Sequence, residues 1–200
     1  GNAPGVAYET PEFGSIKLGV AYHPSLSPLP LGIPPNGGLP IDKRFTPSNG
    51  IDVTGAYAGD FPGGTYRIGA GYFHSNPSLL RTDGNTAFNV TAGLTYGGWE
   101  VSGGYMDVSP TSGLDETAWT VGALYAIGPF RVSANFMRAE HEAVRNGVRR
   151  ERLDRETLQG TYRLAPGVTL GLAGFRSDQT DATGASWDGA GFLSGIKLQF

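Results

Sequence analysis

The run Phe88-Asn89-Val90-Thr91-Ala92-Gly93-Leu94-Thr95-Tyr96-Gly97-Gly98-Trp99-Glu100-Val101-Ser102-Gly103-Gly104-Tyr105-Met106 decides the fold. Phe88, Val90, Ala92, Leu94 and Tyr96 alternate with Asn89, Thr91, Gly93 and Thr95. A period of two over this length predicts a strand with one apolar face and one polar or small face. After Gly97-Gly98 the alternation resumes, with Trp99, Val101, Gly103 and Tyr105 set against Glu100, Ser102, Gly104 and Met106. Two alternating runs joined by Gly-Gly predict a β-hairpin with a two-residue turn.

The same unit recurs on both sides. Trp119, Val121, Ala123, Tyr125 and Ile127 lead into Gly128-Pro129, and Phe130, Val132, Ala134 and Phe136 follow against Arg131, Ser133, Asn135 and Met137. Leu158, Gly160, Tyr162 and Leu164 reach Ala165-Pro166-Gly167, after which Val168, Leu170 and Leu172 alternate with Thr169, Gly171 and Ala173. Upstream, similar runs span 6–10, 15–22, 51–58 and 66–73, and the last covers 187–200. The chain therefore predicts eleven strands. Tight turns near 11–14, 60–63, 97–98, 128–129 and 165–167 alternate with longer connections at 23–49, 75–85, 109–116, 138–155 and 178–186. Strict alternation of short and long connections, with strands of about nine to eleven residues, predicts an all-β, antiparallel up-and-down transmembrane β-barrel. The whole of 1–200 reads as one domain of that kind.

The composition agrees. The 200 residues include 32 glycines, nine tyrosines and ten phenylalanines, yet only 39% are hydrophobic. No apolar run is long enough for a transmembrane helix, and a barrel strand needs apolar residues on one face only. Tyr22, Tyr57, Tyr66, Tyr72, Tyr96, Trp99, Tyr105, Trp119, Tyr125, Phe130 and Tyr162 all share the apolar parity, mostly near strand ends. Amphipathic rings concentrate at that depth of a bilayer. A net charge of −3 with no basic stripe argues against nucleic acid as a partner. The absence of cysteine excludes disulfides and thiolate chemistry. The N-terminus Gly1-Asn2-Ala3-Pro4-Gly5 carries no signal-peptide pattern, so a mature product or a fragment is expected.

The chain ends Gly195-Ile196-Lys197-Leu198-Gln199-Phe200, with Phe192, Ile196, Leu198 and Phe200 on one face. This resembles the terminal strand of Gram-negative outer-membrane proteins. The segment from Val6 to Tyr22, and Trp119 to Val132 around Ile127-Gly128-Pro129-Phe130, resemble hairpins of the general Gram-negative porin family. The resemblance covers most of the chain and lies in pattern and turn wording. It implies that Phe192, Ile196, Leu198 and Phe200 form an assembly signal read by the barrel-assembly machinery. It further implies a sixteen-stranded barrel, of which this chain would be strands six to sixteen, without the part that carries the constriction loop. It also implies a homotrimer in the bacterial outer membrane, in contact with lipid and lipopolysaccharide.

On the strands the polar parity carries Glu9, Lys17, Asp52, Arg67, Glu100, Arg131, Arg163 and Lys197. A charge facing lipid at mid-depth costs roughly 2–4 kcal/mol, so these eight are expected to line a watery pore, either as a field with a weak anion preference or as solvated wall residues only. The segment 138–155 mixes Arg138, Arg145, Arg149, Arg150, Arg152 and Arg155 with acids and reads as a self-neutralising surface loop. Pro24, Pro28, Pro30, Pro34, Pro35, Pro40 and Pro47 stiffen 23–49, which is expected to stay out of the ladder. His23, His74 and His141 show no metal-ligand spacing, and Asp178, Asp181 and Asp188 lack the spacing of a calcium loop. Nucleophile elbows, phosphate loops and dinucleotide fingerprints are absent. The expected function is a porin, a passive channel for ions and small hydrophilic solutes, with no cofactor, no metal and no catalysis. The alternatives are a barrel enzyme, which needs catalytic residues gathered at one rim, and a structural or adhesion barrel, which needs bulky interior residues.

Overall fold

A computed structural model of the chain describes residues 5–25, 48–76, 85–110, 115–144 and 148–199. They form strands β1 Val6–Glu9, β2 Ile16–Ser25, β3 Ser48–Phe61, β4 Gly64–Asn76, β5 Asn85–Tyr96, β6 Trp99–Pro110, β7 Glu116–Ile127, β8 Phe130–Val144, β9 Val148–Ala165, β10 Val168–Thr180 and β11 Ser186–Leu198. All eleven are antiparallel, and their order in the sheet is their order in sequence. No helix occurs among the described residues. The tight turns follow from glycine at left-handed φ. Gly97 and Gly98 stand at 55° and 87°, the pair of positive angles that a two-residue turn needs to match strand twist.

The described residues fall into two compact units, to both of which β3–β6 contribute. One holds residues 1–57, 69–89 and 107–115, the other 58–68, 90–106 and 116–200. In the first, Tyr8 faces Val20 and Val20 faces Val53, while Glu9 faces Gly19 and Gly19 faces Thr54. In the second, Phe130, Tyr162, Leu170 and Ile196 make one cross-strand row, and Arg131, Thr161, Gly171 and Gly195 make a row of the opposite parity. Side chains of an antiparallel ladder keep their parity across every strand, so one face stays apolar and the other polar.

Neither unit has an ordinary core. Among the described residues Ala182 is the one buried hydrophobic, whereas Val132 is 52% exposed, Leu158 62% and Ile196 67%. A soluble sheet must bury that face against another layer. Here hydrocarbon takes the place of the second layer, and the antiparallel ladder satisfies the backbone. Rings mark the edges of the apolar face in the second unit. Phe61–Tyr96, Trp99–Tyr125 and Phe130–Tyr162 pair near the tight turns, with centroids 6.0, 4.6 and 4.7 Å apart. Trp119–Phe136 pair at 5.0 Å toward the other end. Phe130 and Phe136 lie roughly 20 Å apart along β8.

Two expectations are corrected. The segment 138–155 is mostly ladder: β8 runs to Val144 and β9 starts at Val148. Arg138 stands opposite Asp154, Glu140 opposite Arg152, and Glu142 opposite Arg150. Charges at alternate positions meet unlike charges across the hairpin, so a polar stretch propagates the strands. Arg138 chelates Asp154 through Nε (2.7 Å) and Nη2 (3.0 Å), and its guanidinium lies 6.0 Å from the Trp119 ring. Arg145 and the side chain of Arg149 lie outside the described residues. The second correction concerns 23–49. β2 extends through His23 and Pro24 to Ser25. His23 pairs with Gly50 and Ser25 with Ser48, and the register skips Pro24. Asn49 on the facing strand takes φ 52°, a local irregularity that accommodates a residue without an N–H. Pro28, Pro30, Pro34, Pro35, Pro40 and Pro47 lie outside the described residues.

Candidate functional site

The polar face is the candidate site. In the first unit the Lys17 ammonium pairs with the Glu9 carboxylate across the β1–β2 ladder. Asp52, opposite Ala21, shares their parity and has no ion-pair partner among the described residues. In the second unit Arg67 Nη2 donates to Glu100 Oε1 at 2.6 Å. The guanidinium reaches β6 by crossing Gly93 of β5, where a Cβ would stand 2.9 Å from Arg67 Nε. Glycine leaves the arginine the space above it, and a Cβ there would make that exposed side chain shift. Both pairs are solvent-exposed. Such exposed pairs add little stability, so their main consequence is mutual neutralisation.

Arg131, Arg163 and Lys197 differ from these. Arg163 and Lys197 stand on either side of Thr169, and Arg131 faces Thr161, two residues before Arg163. All three are exposed, and none has an ion-pair partner among the described residues. The register thus gathers three free cations near the tight-turn end of β8–β11. Sequence spacing does not show that grouping, because positions 131, 163 and 197 meet only through three hairpins. Of the eight predicted residues, four neutralise one another in pairs, and three cations and one acid are left.

The polar face also holds large apolar residues that sequence reasoning missed. Phe175 faces Thr157, Leu193 faces Ala173, and Trp187 faces Gln179. Counting parity onward from Thr169 and back from Lys197 would have placed them. On β11 the residues predicted to form an assembly signal behave differently. Phe192, Ile196 and Leu198 share the apolar face, opposite Gly174, Leu170 and Val168. Phe200 lies outside the described residues.

His141 Nδ1 lies 3.0 Å from Glu116 Oε1, and His74 Nδ1 lies 3.1 Å from Thr86 Oγ1. No group of three His, Asp or Glu among the described residues is placed to hold a metal ion. Asp178 stands opposite Asp188 and 3.3 Å from Arg176. Asp181 is used by its own loop. Its Oδ1 accepts from Thr183 N (2.8 Å), Thr183 Oγ1 (2.6 Å) and Ala185 N (3.0 Å). The Thr183 side chain holds this carboxyl below the usual aspartate range against the opposing effect of desolvation, and the loop amides add to the lowering. A lowered folded value means that the loop's ordering is present above the unfolded value near 3.9 and is lost as pH falls through the lower, folded one. Amide exchange at Thr183 and Ala185, corrected for intrinsic rate, is expected to accelerate only below about pH 4. Protection that does not change between pH 6 and pH 3 would contradict this reading of the loop.

An antiparallel up-and-down sheet with an unburied apolar face, paired rings at both edges and a charged opposite face defines the wall of a transmembrane β-barrel. The model of the Gram-negative porin family matches residues 1–189. The chain belongs to that family, whose barrels sit in the bacterial outer membrane. The anion-selective porin from Comamonas acidovorans is similar over 97% of this chain and 57% of its own, at 16% identity and a TM-score of 0.59. The OmpT outer-membrane protein of Vibrio cholerae is similar over 97% and 64%, at 16% identity and 0.66. The outer-membrane channel DcaP of Acinetobacter baumannii is similar over 99% and 62%, at 13% identity and 0.70. These likenesses concern the fold, and this chain spans less than two thirds of each of those proteins. No curated protein matches the chain by sequence.

Proposed function

We propose that this chain forms most of the wall of a water-filled channel for passive diffusion of ions and small hydrophilic solutes. The observation that carries the proposal is the charge pattern of the polar face. Arg131, Arg163 and Lys197 stand unpaired beside small residues such as Thr161, Thr169, Gly171 and Gly195, where water has access. Exposed charges of one sign along a pore raise the local concentration of counter-ions, so the channel prefers anions. Glu9, Lys17, Asp52, Arg67 and Glu100 belong to the same lining. Transport needs no cofactor and no catalytic step.

The eleven strands are part of a sixteen-stranded barrel in this proposal, and the remaining strands carry a constriction. The barrel assembles as a homotrimer and contacts lipopolysaccharide. Phe192, Ile196, Leu198 and Phe200 are the signal that the barrel-assembly machinery reads. A second reading, a barrel with a blocked lumen, draws support from Phe175, Trp187 and Leu193 on the polar face. Single-channel recording of the full-length protein in planar bilayers separates the two. Ohmic steps grouped in threes, with a reversal potential on the anion side, are the expected result. A folded, heat-modifiable barrel without conductance would reject the channel in favour of the blocked lumen.

A further inference from the structure

A recess of about 330 Å³ opens on the polar face of the second unit, beyond the Arg67–Glu100 pair. Arg67, Thr91, Ser102, Thr120 and Asn135 surround it, and Gly104 lies in its floor. A Cβ on Gly104 would project between the methyl groups of Thr91 (3.3 Å) and Thr120 (3.8 Å), so the missing side chain is what keeps the recess open. Its polar groups are held in place. Asn135 Nδ2 donates to Thr120 Oγ1 (2.9 Å) and Val121 O (3.3 Å), and Thr120 Oγ1 donates to Phe136 O (3.1 Å). Both amide protons of Asn135 are thereby used, and its Oδ1 is left as an acceptor. The Thr91 and Ser102 hydroxyls make no hydrogen bond to other described residues.

We infer that this recess is a binding subsite for a small neutral polyol of monosaccharide size, an inference that rests on the channel reading above. Adjacent hydroxyls each need a donor and an acceptor close together. The recess offers the acceptor of Asn135, two hydroxyls that play either role, and remaining guanidinium N–H groups of Arg67. Charge decides against an ion. An anion drawn to Arg67 meets the Glu100 carboxylate 2.6 Å away, and a cation drawn to Glu100 meets the guanidinium. The recess is far larger than a single water needs and has room for one sugar ring. Hydrogen bonds without an aromatic platform make the site weak, which suits a solute that must leave again.

The test is ion current through the full-length channel during titration with D-glucose, and separately with triethylene glycol, which has similar bulk but no adjacent hydroxyls. Glucose is expected to reduce the current saturably, and triethylene glycol only in proportion to viscosity. Ser102→Ala and Asn135→Ala, each checked for folding by heat-modifiable migration, are expected to raise the half-saturating glucose concentration about fivefold. Ser133→Ala, on the same face outside the recess, is the control expected to leave that concentration unchanged. Equal, unsaturable effects of the two solutes on a conducting channel would overturn the subsite and leave the channel standing. A protein that conducts nothing would overturn both.

Discussion

Val132→Arg is expected to cost the folded barrel about 2–4 kcal/mol, whereas Ser133→Arg, one residue along, is expected to be tolerated. Val132 is 52% exposed on the apolar face, between Tyr125 and Gly160 on the neighbouring strands and between the ring rows that contain Phe130 and Phe136. Arginine there leaves water for hydrocarbon at mid-depth and has no carboxylate to meet. Ser133 lies opposite Leu124 and Gln159 on the polar face, where the guanidinium stays hydrated. Arg131 and Asn135, two residues to either side, already place polar side chains on that face. Reversible unfolding of the full-length barrel in lipid, by urea titration, measures both. Equal costs at 132 and 133, or a larger cost at 133, would reverse the assignment of the two faces.

The second large effect concerns ion preference. Replacing Arg131, Arg163 and Lys197 together by glutamate changes the polar face by six unit charges. At about 10 Å in water a unit charge is worth roughly 0.4 kcal/mol to a monovalent ion. Screening over one Debye length at 0.1 M salt leaves about a third of that. Six changes then shift an anion by about +0.9 kcal/mol and a cation by about −0.9 kcal/mol, close to a twentyfold swing in their permeability ratio. The reversal potential in a potassium chloride gradient is expected to change sign. Reversing Glu9 and Lys17 together leaves the sum unchanged and is expected to move the potential little. A triple variant that keeps the parent reversal potential would show that ions are selected elsewhere in the channel.

Most of the wall was legible in the residues because a barrel strand writes its environment at a period of two. Phe88 to Tyr96 and Trp99 to Tyr105 announce both faces and the turn between them, and the positive φ values of Gly97 and Gly98 follow from the turn that Gly-Gly permits. The hairpin of β8 and β9 was not legible in its upper half. Polarity there signals a loop as readily as a charged ladder, and only the pairing of Arg138 with Asp154 and Glu140 with Arg152 separates the two. Pro24 misled for a related reason. A missing N–H excludes a residue from a regular ladder, yet the facing strand can deform at Asn49.

The site divides along the same line. Alternation by itself placed each of Glu9, Lys17, Asp52, Arg67, Glu100, Arg131, Arg163 and Lys197 on the polar side of its own strand, since parity is a local property of a strand. It also determined the order of hairpins, because short connections join sequence neighbours. Only the tertiary structure decided which charges cancel and which stay free. Arg67 meets Glu100 from 33 residues away by crossing Gly93, and Arg163 and Lys197 meet across Thr169. Those meetings depend on the register of strands far apart in sequence. Register is fixed by turn geometry and by ladder hydrogen bonds summed over many pairs, and no single stretch of sequence contains that sum.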